Sequence, residues 1–216
     1  KWDKNDKLKI VTHHWSGNWM KGFDVYSKLD LLISNEKWKN KIDFTYIGNT
    51  PSEFKFENTK IIEPLKGVDL ANELKKHHLY VTGSINEPSG NHHMEGVLSG
   101  LPVLYINSGG IPEYCKGFGV EFELNNLEVK LEEIIKDYDK YWKNLDSYKY
   151  TFEAASEEYL KIFEDLMDRK NQINIEKKGY NKTKVLLRLA LNKITSFIYE
   201  SYFLARKILG KVKRML

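Results

Sequence analysis

Two carboxylates, Glu87 and Glu95, bracket the run Glu87-Pro-Ser-Gly-Asn-His-His-Met-Glu95. This E-x7-E spacing sets the first carboxylate before a Pro/Gly loop and the second inside the helix that the loop opens, so both can face one ligand from two sides. Carboxylates placed in this way accept hydrogen bonds from hydroxyl groups. The helix N-terminus near Gly90 and Asn91, with Ser89 just before it, offers unpaired backbone N–H groups and a positive dipole end, which suit a phosphate. The spacing alone is common by chance. Gly83, Gly90, Gly96, Gly100, Gly109 and Gly110 crowd the same region, however, and mark close approach of backbone to backbone or to ligand.

The elements that must position these groups follow from the alternation of apolar runs with helical periods. Strands are expected at Lys9–Thr12, Asp43–Ile47, Lys60–Ile62, Leu79–Thr82, Pro102–Ile106 and Val120–Glu123. Between them, Phe23–Ser34, Val68–Lys76 and Asn91–Ser99 carry apolar residues at helical spacing. Such alternation predicts an α/β fold, a Rossmann-like doubly wound parallel sheet with helices on both faces. Ligands of such sheets sit beyond the carboxyl ends of the strands. The Lys21 loop, the Glu87 loop and Gly109-Gly110 all fall on that rim. After Glu123 the pattern turns wholly helical, over Leu127–Trp142 and Tyr150–Met167.

Taken together, Glu87-Pro-Ser-Gly-Asn-His-His-Met-Glu95-Gly-Val-Leu-Ser-Gly100-Leu-Pro-Val and Gly109-Gly-Ile-Pro-Glu113 resemble the carboxyl-terminal, donor-binding half of retaining GT-B glycosyltransferases of the "glycosyl transferases group 1" type. The resemblance covers roughly residues 8 to 167. It implies that Glu87 contacts hydroxyls of a donor sugar, Glu95 holds the ribose of a nucleotide, and the amides around Gly90 and Asn91 meet a diphosphate. Ser16-Gly-Asn-Trp-Met-Lys21-Gly22 resembles the family's first phosphate-contacting loop, with Gly17 and Asn18 beside the ligand and Lys21 neutralising the departing diphosphate. Gly109 and Gly110 join the donor-binding set on the same grounds. The family often carries an arginine five residues before the lysine, where this chain has Ser16. Either Asn18, Trp19 or His14 reshapes the phosphate pocket, or the donor binds with one cationic contact fewer. Gly48-Asn49 and Ile61 to Leu65 correspond to the base cradle, which uses backbone groups and leaves the base unassigned.

The implied activity is transfer of a sugar from a nucleotide diphosphate sugar to a glycan or lipid-linked acceptor, with retention of configuration. The expected catalytic pair is Glu87 and Lys21. No cofactor and no metal are expected, the nucleotide sugar being a substrate. The acceptor side should lie in an amino-terminal half, without which this chain binds donor but turns over poorly. Two alternatives stand beside this reading. Nucleotide-sugar 2-epimerases share the two-half architecture but lack the E-x7-E signature. A non-catalytic scaffold of the same fold would bind partners or membrane through its tail.

All six histidines occur as adjacent pairs, His13-His14, His77-His78 and His92-His93. Neighbouring side chains diverge on a helix, so a metal site is not expected; at the third pair one ring would face the ligand while the other packs inward. Cys115, the single cysteine, excludes an intramolecular disulfide and fits a reducing compartment. The organisation expected is a linker over 1–7, a donor domain over 8–167, a polar linker over 168–181 and a basic amphipathic helix over 182–216. That last segment carries nine basic residues against Glu200 alone, a net of +8 that leaves −4 for the rest of a chain whose total is +4. An acidic body argues against nucleic-acid binding. The basic tail suits an anionic membrane surface, consistent with a cytoplasmic protein peripheral at the inner face of the membrane, or else packing on another protein segment.

Overall fold

A computed structural model of the chain describes residues 1–170, 172–173, 186, 188–189, 191–193 and 195. The polar linker lies largely, and the basic amphipathic helix mostly, outside these residues. Six strands, β1 (Leu8–His14), β2 (Ile42–Gly48), β3 (Lys60–Ile62), β4 (Leu79–Thr82), β5 (Val103–Ile106) and β6 (Gly119–Phe122), form one parallel sheet in the order β3-β2-β1-β4-β5-β6. This is the Rossmann-like, doubly wound arrangement. The order reverses between β1 and β4, which opens a crevice where their carboxyl ends part company.

Period-two alternation along each strand divides the core between two faces. Leu8, Ile10, Leu79, Val81 and Leu104 point to the face covered by α1 (Phe23–Ser34) and by α5 (Leu127–Lys136). Val11, Tyr80, Val103 and Tyr105 point to the other face, under α2 (Gly67–Leu74), α3 (Asn91–Leu98) and the short α4 (Ile111–Cys115). Cys115 is sealed in that second core, where burial raises its thiol pKa. The single helix expected over Leu127–Trp142 is two helices, α5 and α6 (Tyr138–Asn144). Asp137 leaves helical geometry between them, at φ −98° and ψ 17°. Residues 1–155 form one compact unit, and within it Trp2 packs edge-on against Tyr138 at 5.5 Å while its backbone N–H donates to the Tyr138 hydroxyl. The second unit, 156–216, is described mainly by its part of α7 (Phe152–Asp168).

Asp30, buried on α1, ties the β2–β3 connection to the sheet. Its carboxylate accepts from the N–H groups of Glu57, Asn58 and Thr59 and from the Thr59 hydroxyl, all within 2.9 Å. Burial alone would raise its pKa, but these four donors outweigh burial and hold it below the ordinary carboxylate value. Asp30→Ala is expected to lower stability by about 3 kcal/mol, because several buried donors lose their acceptor at once. A depressed folded-state pKa gives stability that is present above the unfolded pKa and is lost as pH falls through the folded one. Wild-type and variant melting temperatures should therefore converge on acidification below the carboxylate range, and a gap that stays constant would contradict this role.

Candidate functional site

The crevice between β1 and β4 holds a cleft of about 460 Å³, lined by His13, His14, Lys21, Glu87, Gly90, Asn91, His92 and Glu95 from the strand ends and α3. Pro64, Leu65 and Lys66, from the connection into α2, line it as well. Lys21 closes a short 3-10 turn (Trp19–Lys21) that Asn18 caps by accepting from the Met20 N–H at 2.9 Å. The turn is pinned to the β4 side by the Ile85 N–H, which donates to the Met20 carbonyl at 2.8 Å. Lys21 is thereby carried across the crevice, and its ammonium meets Glu87 Oε2 at 2.6 Å. Both side chains are largely buried, at 30% and 15% exposure, so the pair sits in a medium less screening than water.

Glu95 is held differently. Its Oε2 lies 2.7 Å from His13 Nε2, while the other ring nitrogen of His13 lies 3.1 Å from the Tyr80 hydroxyl. The His13 hydrogen bond outweighs desolvation and depresses the Glu95 pKa, keeping it an anion. Each carboxylate of the E-x7-E pair is thus matched with a basic side chain from the β1 end of the crevice. Between them α3 begins at Gly90 with no side-chain cap, which leaves its first-turn N–H groups open. A Cβ on Gly90 would stand 2.7 Å from Glu87 Cγ and 2.8 Å from His92 Nδ1, so the missing side chain keeps this entrance clear.

Lys21, Glu87, Gly90, Asn91 and Glu95, all expected from the sequence, line the one cleft. The other expected residues stand around it. Gly109, at φ 60°, and Gly110 press on the Glu87-Pro88 backbone: the Gly110 N–H donates to the Glu87 carbonyl at 2.8 Å, and a Cβ on Gly109 would meet that oxygen at 2.1 Å. Their role is to let the β5–α4 loop buttress the Glu87 loop. Ser89 Oγ lies 3.4 Å from the Tyr114 hydroxyl. Gly17 lies against the Thr50 carbonyl, and Asn18 serves as the cap of the 3-10 turn. Sequence reasoning did not assign His13 to Glu95. Its place at the carboxyl end of the first strand, on the ligand rim, was the signal that could have found it.

The third histidine pair divides as expected. His92 lines the cleft with Nε2 at 2.8 Å from the Thr82 hydroxyl, and His93 turns inward, fully buried with neither ring nitrogen partnered among the described residues. Burial lowers the His93 pKa to about 4 and, chiefly by the same cause, takes those of His14 and His92 well below 6.5. Among the described residues no group of three or more His, Cys, Asp or Glu is disposed to hold a metal ion, and no helix is long and apolar enough to cross a membrane.

Fold and cleft together define a class: a doubly wound domain that presents two carboxylates, a lysine and an open helix N-terminus at its topological switch point. Among solved structures, WaaG, a glycosyltransferase involved in lipopolysaccharide biosynthesis, is similar at 19% identity and a TM-score of 0.57, over 70% of this chain and 45% of its own. The pneumococcal O-GlcNAc transferase GtfA, solved with UDP and GlcNAc, is similar at 13% identity and a TM-score of 0.58, over 76% of this chain and 37% of its own. Sucrose-phosphate synthase of Thermosynechococcus elongatus gives 14% identity and a TM-score of 0.58, over 76% of this chain and 46% of its own. The chain therefore spans less than half the length of these structures and has the fold of one half of a GT-B glycosyltransferase. No protein-family model matches the sequence, and no curated protein does.

A histidine buried as the neutral base binds its proton less readily folded than unfolded, so stability is complete above the unfolded pKa and is lost as pH falls towards the folded one. Between pH 6.5 and the folded value of about 4, His93 should cost about 1.4 kcal/mol of stability per pH unit. Denaturant titrations across about pH 5 to 8 are expected to show a slope to which His14 and His92 also contribute, and which is shallower by about that amount in His93→Leu, which also removes two unpartnered polar atoms. An unchanged slope in that variant would contradict the assignment.

Proposed function

We propose that this chain is the donor-binding half of a glycosyltransferase that moves a sugar from a nucleotide diphosphate sugar to a glycan or lipid-linked acceptor, with retention of configuration. The observation that carries this reading is the paired charge in the crevice: Lys21 on Glu87 at 2.6 Å and His13 on Glu95 at 2.7 Å, astride the open N-terminus of α3. A diphosphate entering between them competes with Glu87 for Lys21 and takes the first-turn N–H groups. Glu87, released from the lysine, is then free to accept from sugar hydroxyls beside the reacting centre. Glu95, kept anionic and aimed by His13, accepts from the ribose hydroxyls. Charge that grows on the leaving diphosphate is met by groups already in place, so little reorganisation is needed in the transition state. Lys21 and the helix terminus supply this compensation without requiring a metal.

The acceptor, and any second half that presents it, belong to the same proposal. So does docking of the basic 182–216 segment on an anionic membrane, which would bring a lipid-linked acceptor to the cleft. Calorimetric titration with UDP, GDP, ADP and their sugar conjugates tests the donor site. One nucleotide is expected to bind selectively, with Lys21→Ala weakening it by about tenfold or more through loss of a charged hydrogen bond. Glu95→Ala should weaken the nucleoside as well as the nucleotide, since the ribose is common to both. Absence of binding by a chain shown to be folded would count against the assignment.

A further inference from the structure

The rings of His14, at the end of β1, and His92, in the first turn of α3, lie 4.7 Å apart on the cleft wall beside Lys21. Each uses one nitrogen inside the protein. His14 Nε2 lies 2.6 Å from the Tyr26 hydroxyl, and His92 Nε2 lies 2.8 Å from the Thr82 hydroxyl. Tyr26 also accepts from the Gly83 N–H at 3.2 Å and from the Thr12 hydroxyl at 3.3 Å. Thr82 accepts from the Ser84 N–H at 3.4 Å. Neither Nδ1 has a protein partner among the described residues. Both side chains are more than nine-tenths buried. The entrance kept clear by Gly90 leads directly onto His92 Nδ1.

Resting on the donor-site reading, we propose that His14 and His92 contact the diphosphate of the donor through Nδ1, and that the pair takes up one proton from solvent when it binds. They supply the second positive contact of a phosphate site that has Ser16 where an arginine would stand. The proton taken up leaves the imidazolium with hydrogen on both nitrogens, Nε2 facing its hydroxyl partner and Nδ1 donating to the phosphate. Both rings are kept neutral by burial first and then by a neighbouring histidine, His13 for His14 and His14 for His92, with Lys21 adding to the effect. The other groups facing them are His13 on β1, His93 on α3, Tyr26 on α1, Tyr46 on β2 and Tyr80 on β4. Glu87 and Glu95, which share the cleft, are already matched with Lys21 and His13. A diphosphate adds negative charge without a partner of its own and so favours the imidazolium. Two like charges at this separation oppose each other, which limits uptake to one proton for the pair.

The test is calorimetry of the chain with UDP, GDP and ADP, each in two buffers of different ionisation enthalpy, from about pH 6 to 8. Net uptake approaching one proton is expected near the ordinary imidazole pKa of about 6.5, falling away as pH rises, and none is expected with the free nucleosides. His14→Leu and His92→Leu should each weaken nucleotide binding by about tenfold, and the double variant should abolish uptake. His93→Leu, a substitution in the core outside the cleft, should keep both. Should the leucine variants fail to fold, the double variant His14→Asn with His92→Asn retains hydrogen-bonding groups near Nδ1 but no titratable one; it is expected to bind without uptake. Nucleotide binding without uptake, or uptake that survives when both histidines are replaced, would overturn this inference while leaving the donor site standing. If the folded chain binds no nucleotide, both fall together.

Discussion

Lys21 and Glu87 stand 66 residues apart in sequence and 2.6 Å apart across the crevice, and the architecture around them consists of ways to hold that contact in place. The parallel sheet parts at β1 and β4, which puts two strand-to-helix loops opposite each other. A 3-10 turn pushes the lysine forward from one side, and the β5–α4 loop braces the glutamate loop from behind. Unpaired, either charge would be costly at this degree of burial; paired, they remain ready for exchange. An anion that offers Lys21 a better partner frees Glu87 at the place where a hydroxyl-bearing group would lie. In the proposed function, the ion pair would couple arrival of phosphate to release of the carboxylate.

Burial of imidazole gives the same crevice its second character. Four histidines from β1 and α3 lie together with the Tyr26, Tyr46 and Tyr80 rings around them. Desolvation holds three of them neutral, so the empty cleft carries little net charge although it is rich in basic groups. His13 is distinct in having a carboxylate within reach, and it uses this contact to orient Glu95. In the proposed donor site, a wall of this kind would answer an anion by changing protonation as well as by hydrogen bonding. On the same reading, it would let the Ser16–Gly22 loop, with Lys21 as its lysine, match a doubly charged group.

The sheet was legible in the sequence because each strand is a short apolar run whose alternate residues serve opposite faces, and because α1 and α3 begin and end within a residue of their apolar stripes. The break at Asp137 was not, since the apolar period of α5 continues past it into Tyr138 and Tyr141. In the cleft, Glu87, Lys21 and Glu95 could be named from local spacing and resemblance, but their partners could not. The Lys21–Glu87 and His13–Glu95 pairs depend on the order of strands in the sheet, which no local pattern encodes. Gly109 and Gly110 illustrate the converse. A pair of glycines signals close approach, and only the fold shows that what approaches is the Glu87 backbone.

The most direct measurement is a crystal structure of the chain with a nucleotide diphosphate sugar bound. The diphosphate is expected between Lys21 and the first turn of α3, with the Lys21–Glu87 contact broken, the ribose on Glu95 and the sugar against Glu87. A nucleotide seated elsewhere, or one bound with Lys21 still on Glu87, would contradict the donor site described for this crevice.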